Sequence, residues 1–237
     1  MLAHSSSEEQ TEGALGSLLD TLRGGLIVSC QASTGSPMRD TPTIARLAAS
    51  ALQGGAVALR VNAPADIAAV REFTQVPIIG LHKQQGERRS VITVTDDQVL
   101  GLVAAGADIV AVDATSEVFD DIPARLHRAR DATRAPLMAD VSTFDEGMQS
   151  WEAGATFVGT TLSGYTPYSP SGPAPDVRLV ADLAARGVRV LAEGRYAAPD
   201  DVARAFDAGA FAVVVGGAIT DPVAITRRFV AASLRRR

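Results

Sequence analysis

The chain is poor in several residues that commonly carry chemistry. It has one cysteine in 237 residues, Cys30, which excludes an internal disulfide and gives no reason to expect export. Cys30 lies inside an apolar run, where a thiol packs as a small hydrophobe. The three histidines, His4, His82 and His127, are scattered. No Cys, His and carboxylate spacing suits a metal, and no histidine accompanies a convincing serine, so neither metal nor serine-nucleophile catalysis is expected. Positive charge is short as well: the net charge is −5 and no basic stripe stands out, which argues against nucleic acid as a partner. The closing Arg235-Arg236-Arg237 reads as a solvated chain end. No apolar run approaches membrane-spanning length, so no membrane partner is expected. Residues 1–12 have neither a basic n-region nor an apolar h-region. They read as a disordered lead-in to a single domain over 13–234, in a cytoplasmic protein.

What the chain does have is an internal repeat. Gly-Ala followed by an apolar run recurs at Gly55-Ala56, Gly106-Ala107, Gly154-Ala155 and Gly209-Ala210, each interval long enough for two βα units. Four more apolar runs interleave with these, over 25–31, 77–83, 136–140 and 188–193, giving eight predicted strands. Continuous rather than alternating apolar runs belong to a parallel sheet covered on both faces. Between them, apolar residues spaced at three and four predict helices over 43–53, 65–73, 144–153 and 199–208. Thr95 with Gln98 and Thr143 with Glu146 have capping-box spacing, and Pro64 and Pro199 suit a first helical turn. Eight βα units in one domain predict an α/β (β/α)8 TIM barrel. An open doubly wound sheet is the alternative, but its glycine fingerprint is missing after the first strand.

In such a barrel chemistry sits at the C-terminal ends of the strands. Those ends read Gln31, Arg60, Lys83, Asp113, Asp140, Thr160 with Thr161, Glu193 and Gly216. Any one of them suits mere solvation of a rim; together they predict a polar mouth. His82 and Lys83 are adjacent, so strand alternation sends them to opposite faces, and Lys83 is assigned to the mouth. The last two strands end in Glu193-Gly194-Arg195 and Gly216-Gly217, each followed by a helix start. Glycines there let backbone N–H groups approach a phosphate. Longer loops follow Gln31, Lys83 and the sixth strand, the last being proline-rich from Tyr165 and a candidate lid.

With the strand ends in place, the sequence resembles the N-acetylmannosamine-6-phosphate 2-epimerase family of bacterial amino-sugar and sialic acid breakdown. The likeness runs from about Gly24 to Phe229. It is carried most specifically by the strings Gly159–Thr166 and Ala192–Tyr196, with Gly25–Gln31, Gln53–Arg60, Val76–Lys83, Ala105–Asp113, Met138–Asp140 and Val215–Thr220 in the family's order. The resemblance implies a TIM barrel and a homodimer with no metal or organic cofactor. It also implies a sugar-phosphate substrate whose C2 is epimerised by deprotonation and reprotonation. Lys83 and Glu193 match the family's catalytic pair. Substrate contacts map onto Gln31, Arg60, Asp140 and Tyr165, and phosphate contacts onto the backbone around Gly194, Arg195, Gly216 and Gly217.

Three positions depart from the family pattern. Gln84-Gln85-Gly86 stands where an Arg-Asp pair often follows the lysine, and Asp221 where an arginine often follows Ala-Ile-Thr. After Asp113 the residues Ala114–Phe119 lack the basic segment of many relatives. Arg195, Arg227 and Arg228 are the nearby cations available to offset Asp221. Two further readings stay open: an isomerase for another sugar phosphate, and a non-catalytic sugar-phosphate binder.

Overall fold

The structure, a computed structural model, describes residues 3–234, with side chains over 12–233; the arginine triplet that closes the chain lies outside the described residues. Eight parallel strands close into a barrel: β1 (Leu26–Cys30), β2 (Ala58–Asn62), β3 (Ile78–Leu81), β6 (Ile109–Asp113), β7 (Leu137–Asp140), β8 (Phe157–Gly159), β9 (Val190–Ala192) and β10 (Ala212–Val215). Barrel strands consecutive in the chain are neighbours in the sheet, and closure is made by β1 on β10, Ile27 opposite Val214. Two short strands, β4 (Lys83–Gln85) and β5 (Ser90–Ile92), form an antiparallel hairpin outside the barrel, immediately after β3. Every predicted strand is present, and the open-sheet alternative is excluded by the closure.

The helices are α1 (Ala3–Leu22), α2 (Thr41–Gln53), α3 (Pro64–Arg71), α4 (Asp96–Ala104), α5 (Ile122–Ala132), α6 (Phe144–Glu152), α7 (Val177–Ala184), α8 (Pro199–Asp207), α9 (Gly217–Thr220) and α10 (Pro222–Leu234). Both capping boxes form, Thr95 Oγ1 accepting from the Gln98 amide and Thr143 Oγ1 from that of Glu146. The repeated glycines Gly55, Gly106, Gly154 and Gly209 have φ of 90–102°. That left-handed turn ends a helix before the next strand and strains a residue bearing a Cβ.

Parity along the strands sorts the core into two layers. Ile27, Ala58, Ile79, Ile109, Ala111, Met138, Phe157, Leu191 and Val214 fill the barrel interior. Their neighbours Val28, Leu59, Ile78, Val110, Val158 and Val190 face the helices. Helix α1 closes the floor: Leu22 is fully buried in the interior cluster, with Leu18 and Leu19 against it. Burying such a leucine contributes about 1.5–3 kcal/mol. Of the segment 1–12 expected to be disordered, residues 3–12 belong to this helix, and Met1 and Leu2 lie outside the described residues. Once the leucines are docked, extending the helix adds hydrogen bonds without a second nucleation cost.

Helix α10 differs from the rest. Helices α2 to α8 pack on one another in succession around the barrel, whereas α10 packs chiefly on α9. No residue over 222–233 is buried, and Phe229 is 74% exposed.

Candidate active site

The parity that sends Ile79 and Leu81 inward brings the next residue of that series, Lys83, to the barrel mouth. The same holds for Arg60 after Ala58, Glu193 after Leu191 and Gly216 after Val214. These residues line one cup of about 880 Å³, a volume suited to a small organic ligand. Gln31, Thr161, Tyr165, Gly194, Arg195 and Gly217 also line it. His82 is not among the lining residues and is half-buried, as alternation requires.

Arg60 organises the centre of the cup. Its side chain is 1% exposed, and it donates through Nη2 to Asp140 Oδ2 at 2.5 Å and through Nη1 to Glu193 Oε1. Thr161 Oγ1 adds a second bridge, 2.6 Å from Asp140 Oδ1 and 3.1 Å from Glu193 Oε2. Burial opposes the guanidinium charge, but Asp140 and Glu193 more than offset it. A single guanidinium cannot compensate two carboxylates fully. Asp140, the more deeply buried, is pushed up by burial to about 7, with Arg60 opposing and Glu193 reinforcing the shift. Asp140 lies behind Arg60, fully buried and outside the cup lining.

Lys83 opens to the solvent in the cup while protein walls surround it. That enclosure, then repulsion from Arg60, draws its ammonium below the ordinary lysine range, with Glu193 and Asp140 pulling the other way. Its backbone is held by Asn62, whose Oδ1 accepts from the Lys83 amide at 2.8 Å. Lys83 is also the only lysine of the chain, against 21 arginines. The composition carried that signal, and the strand-end argument did not use it.

The two glycine segments sit side by side at the rim. Gly194 has φ 107°, and a Cβ there would lie 3.3 Å from the Thr161 carbonyl oxygen. Arg195 follows in the left-handed region at φ 63°, a strained setting for a side-chain-bearing residue, with its guanidinium 5.7 Å from the centre of the Tyr165 ring. Gly216 and Gly217 are tied to the first strand through Thr220, whose Oγ1 donates to the Ser29 carbonyl at 2.9 Å. Asp221 is turned away from an anion-binding role: its Oδ1 accepts from the Ala224 amide at 3.0 Å and caps α10. The cup lining carries six cations (Arg39, Arg60, Lys83, Arg89, Arg195 and Arg228) against the carboxylates of Glu193 and Asp221. Arg39, Arg60 and Arg89 are paired with carboxylates, so the cations left at the rim for an anionic ligand are Arg195 and Arg228, which have no salt-bridge partner among the described residues.

Two residues of this site are absent from the strand-end series. Asn62 lies two residues beyond Arg60, the last inward-facing position read for β2, and Arg89 lies on the hairpin, which no periodicity announces. Asp113, a member of the predicted ring, is held by Arg89 and does not line the cup.

Fold and site together define a (β/α)8 barrel with an amine and a carboxylate in one mouth, a makeup suited to proton transfer on a small substrate. The chain belongs to the family described as "Putative N-acetylmannosamine-6-phosphate epimerase", whose model matches residues 44–234. A relative from Caldanaerobacter subterraneus subsp. tengcongensis is 42% identical over 222 residues, covering 90% of this chain and 92% of its own. One from Yersinia pestis is 46% identical over 208 residues, covering 87% and 88%. Both bear the name "Putative N-acetylmannosamine-6-phosphate 2-epimerase". The solved structure of the N-acetylmannosamine-6-phosphate 2-epimerase from Clostridium perfringens superposes with a TM-score of 0.83 at 36% identity, covering 91% of this chain and 96% of that one.

Proposed function

We propose that the protein epimerises C2 of N-acetylmannosamine 6-phosphate, giving N-acetylglucosamine 6-phosphate, in amino-sugar and sialic acid breakdown. The observation that carries this reading is the chain's only lysine standing in a cup that also holds Glu193 and, at its rim, Arg195 and Arg228. Arginine stays protonated at any physiological pH and cannot serve as the base; a desolvated lysine can. In the open-chain sugar the C2 hydrogen is acidified by the C1 aldehyde. Lys83 takes that proton, leaving an enolate whose oxyanion is stabilised by N–H donors of Arg60 and Gln31. Return of a proton to the opposite face inverts C2. Glu193 orients Arg60 and relays protons, including those of ring opening. Tyr165 and the backbone around Gly194, Arg195, Gly216 and Gly217 hold the phosphate end, so that C2 is presented to the amine.

The test is incubation with N-acetylmannosamine 6-phosphate in D2O, followed at C2 by NMR. Epimerisation with deuterium entering C2 is expected, together with its loss in Lys83→Met. Tight binding without exchange would make the protein a sugar-phosphate binder, and no binding would assign it another sugar phosphate.

The same reading includes a homodimer. Helix α10 supports it: an apolar, unburied helix carrying Phe229 and Val230 offers a face for a second copy. Among the described residues no helix is long and apolar enough to cross a membrane. A cytoplasmic location fits a phosphorylated substrate, whose charge prevents it from crossing a bilayer.

A further inference from the structure

The hairpin that begins with Lys83 is fastened to the end of the neighbouring barrel strand, β6, and the loop after it by one side chain. All five N–H groups of Arg89 are occupied. Nη1 donates to Asp113 Oδ2 at 2.8 Å and to the Ser90 carbonyl at 3.0 Å. Nη2 donates to Asp113 Oδ1 at 3.1 Å and to Thr115 Oγ1 at 2.8 Å, and Nε to Glu117 Oε2 at 2.8 Å. Asp113 is fully buried, and Arg89 is 11% exposed. The clamp reaches Lys83 through the hairpin itself. Arg89 precedes β5, its carbonyl accepts from the Gly86 amide at 3.0 Å, and Ile92 lies opposite Lys83 in the ladder. The Ile92 amide is in turn 3.3 Å from Asp113 Oδ2. A guanidinium with every donor used has none left for a ligand, although it borders the cup.

We infer that Arg89 is a positioning residue for the proposed epimerase, clamping the hairpin to Asp113 and Glu117 so that the Lys83 amine is held over the reacting carbon. This also gives a physical account of a departure in the sequence. After Asp113, where many relatives carry a basic segment, this chain has Ser116-Glu117, and the cation comes from the hairpin instead. The inference rests on the proposed role of Lys83, and its test therefore includes a readout that needs no substrate.

Because the chain has one lysine, selective 13C labelling of lysine gives a single ε-carbon signal that reports Lys83 alone. The charged groups that govern it are Arg60, Glu193 and Asp140. In Arg89→Ala the hairpin is released towards solvent. The Lys83 titration should then move up by about one unit towards an ordinary lysine. In the C2 exchange assay kcat should fall by about tenfold to a hundredfold, with KM within about threefold. Arg89→Lys, which keeps the charge but loses the fork, should fall between, and it serves if Arg89→Ala does not fold. An unmoved lysine titration in folded Arg89→Ala or Arg89→Lys overturns the inference. So does a loss confined to KM, which would make Arg89 a substrate ligand. If the wild-type protein exchanges nothing at C2 while the titration shifts as stated, the clamp stands and the assigned reaction falls.

Discussion

Arg60 and Glu193, 133 residues apart in the chain, form an ion pair across the barrel mouth, and the same guanidinium holds Asp140 beneath them. The arrangement fixes Glu193 beside Lys83 without spending the lysine on a salt bridge of its own. It also sets which substitutions damage the fold and which damage only the chemistry.

Arg60→Gln removes the only cation bonded, among the described residues, to Asp140, a carboxylate with no exposure. Breaking one side of a buried pair costs about 3–5 kcal/mol at neutral pH. Urea denaturation should show that loss. The deficit should grow as the pH is raised above neutrality, because Asp140, raised to about 7 even with Arg60 present, is raised further without it and its charged form is then left unpaired. A variant as stable as wild type at pH 7 would mean that water or another group compensates Asp140.

The pH dependence of turnover follows from Lys83. Its folded pKa is lowered, by enclosure first and then by Arg60, and the neutral amine is the base. Turnover should therefore rise with pH through that lowered value, at a pH below the ordinary lysine range. The linkage to stability has the same sign. Between the folded pKa and about 10.4 the unfolded chain binds the extra proton, so stability rises with pH across that window. The pH–rate profile and the single lysine NMR signal should give the same midpoint, and a profile flat across that midpoint would remove Lys83 as the titrating base.

Asp221 caps α10 but also borders the cup, where its charge opposes an anion. Asp221→Asn keeps a capping oxygen and removes the charge. Asp221→Arg loses the cap, at a cost of about 1 kcal/mol, and adds a cation. Calorimetry with the sugar phosphate should show binding tightened modestly in the first variant and by about threefold to tenfold in the second. Equal affinity in all three proteins would place Asp221 outside the reach of the bound anion.

Phe229 is exposed on a helix with no buried residue over 222–233. Phe229→Asp should convert a dimer into a monomer in sedimentation velocity at micromolar concentration, because a charge cannot be buried in that face without a partner. A wild-type protein that sediments as a monomer would sink the dimer reading.

Much of the site was legible because a strand has a period of two. Once Ile79 and Leu81 face inward, Lys83 must follow, and Glu193 follows Leu191 by the same rule. Depth was not legible. Asp140 and Glu193 both end strands, yet one is sealed behind Arg60 and the other borders the cup, a difference made by the reach of one guanidinium. Arg89 escaped for another reason: its partners Asp113 and Glu117 come from a different βα unit, so no local pattern records the pairing.

The sequence by itself determined the eight βα units, their order around the barrel and the inward parity of Arg60, Lys83, Glu193 and Gly216, since each follows from local periodicity and from glycines that end helices. Only the tertiary structure decided which charges meet. That outcome depends on barrel closure, which brings residues far apart in the chain within hydrogen-bond distance. It also left α10 exposed, because a helix is buried only where the rest of the molecule presents a surface to receive it.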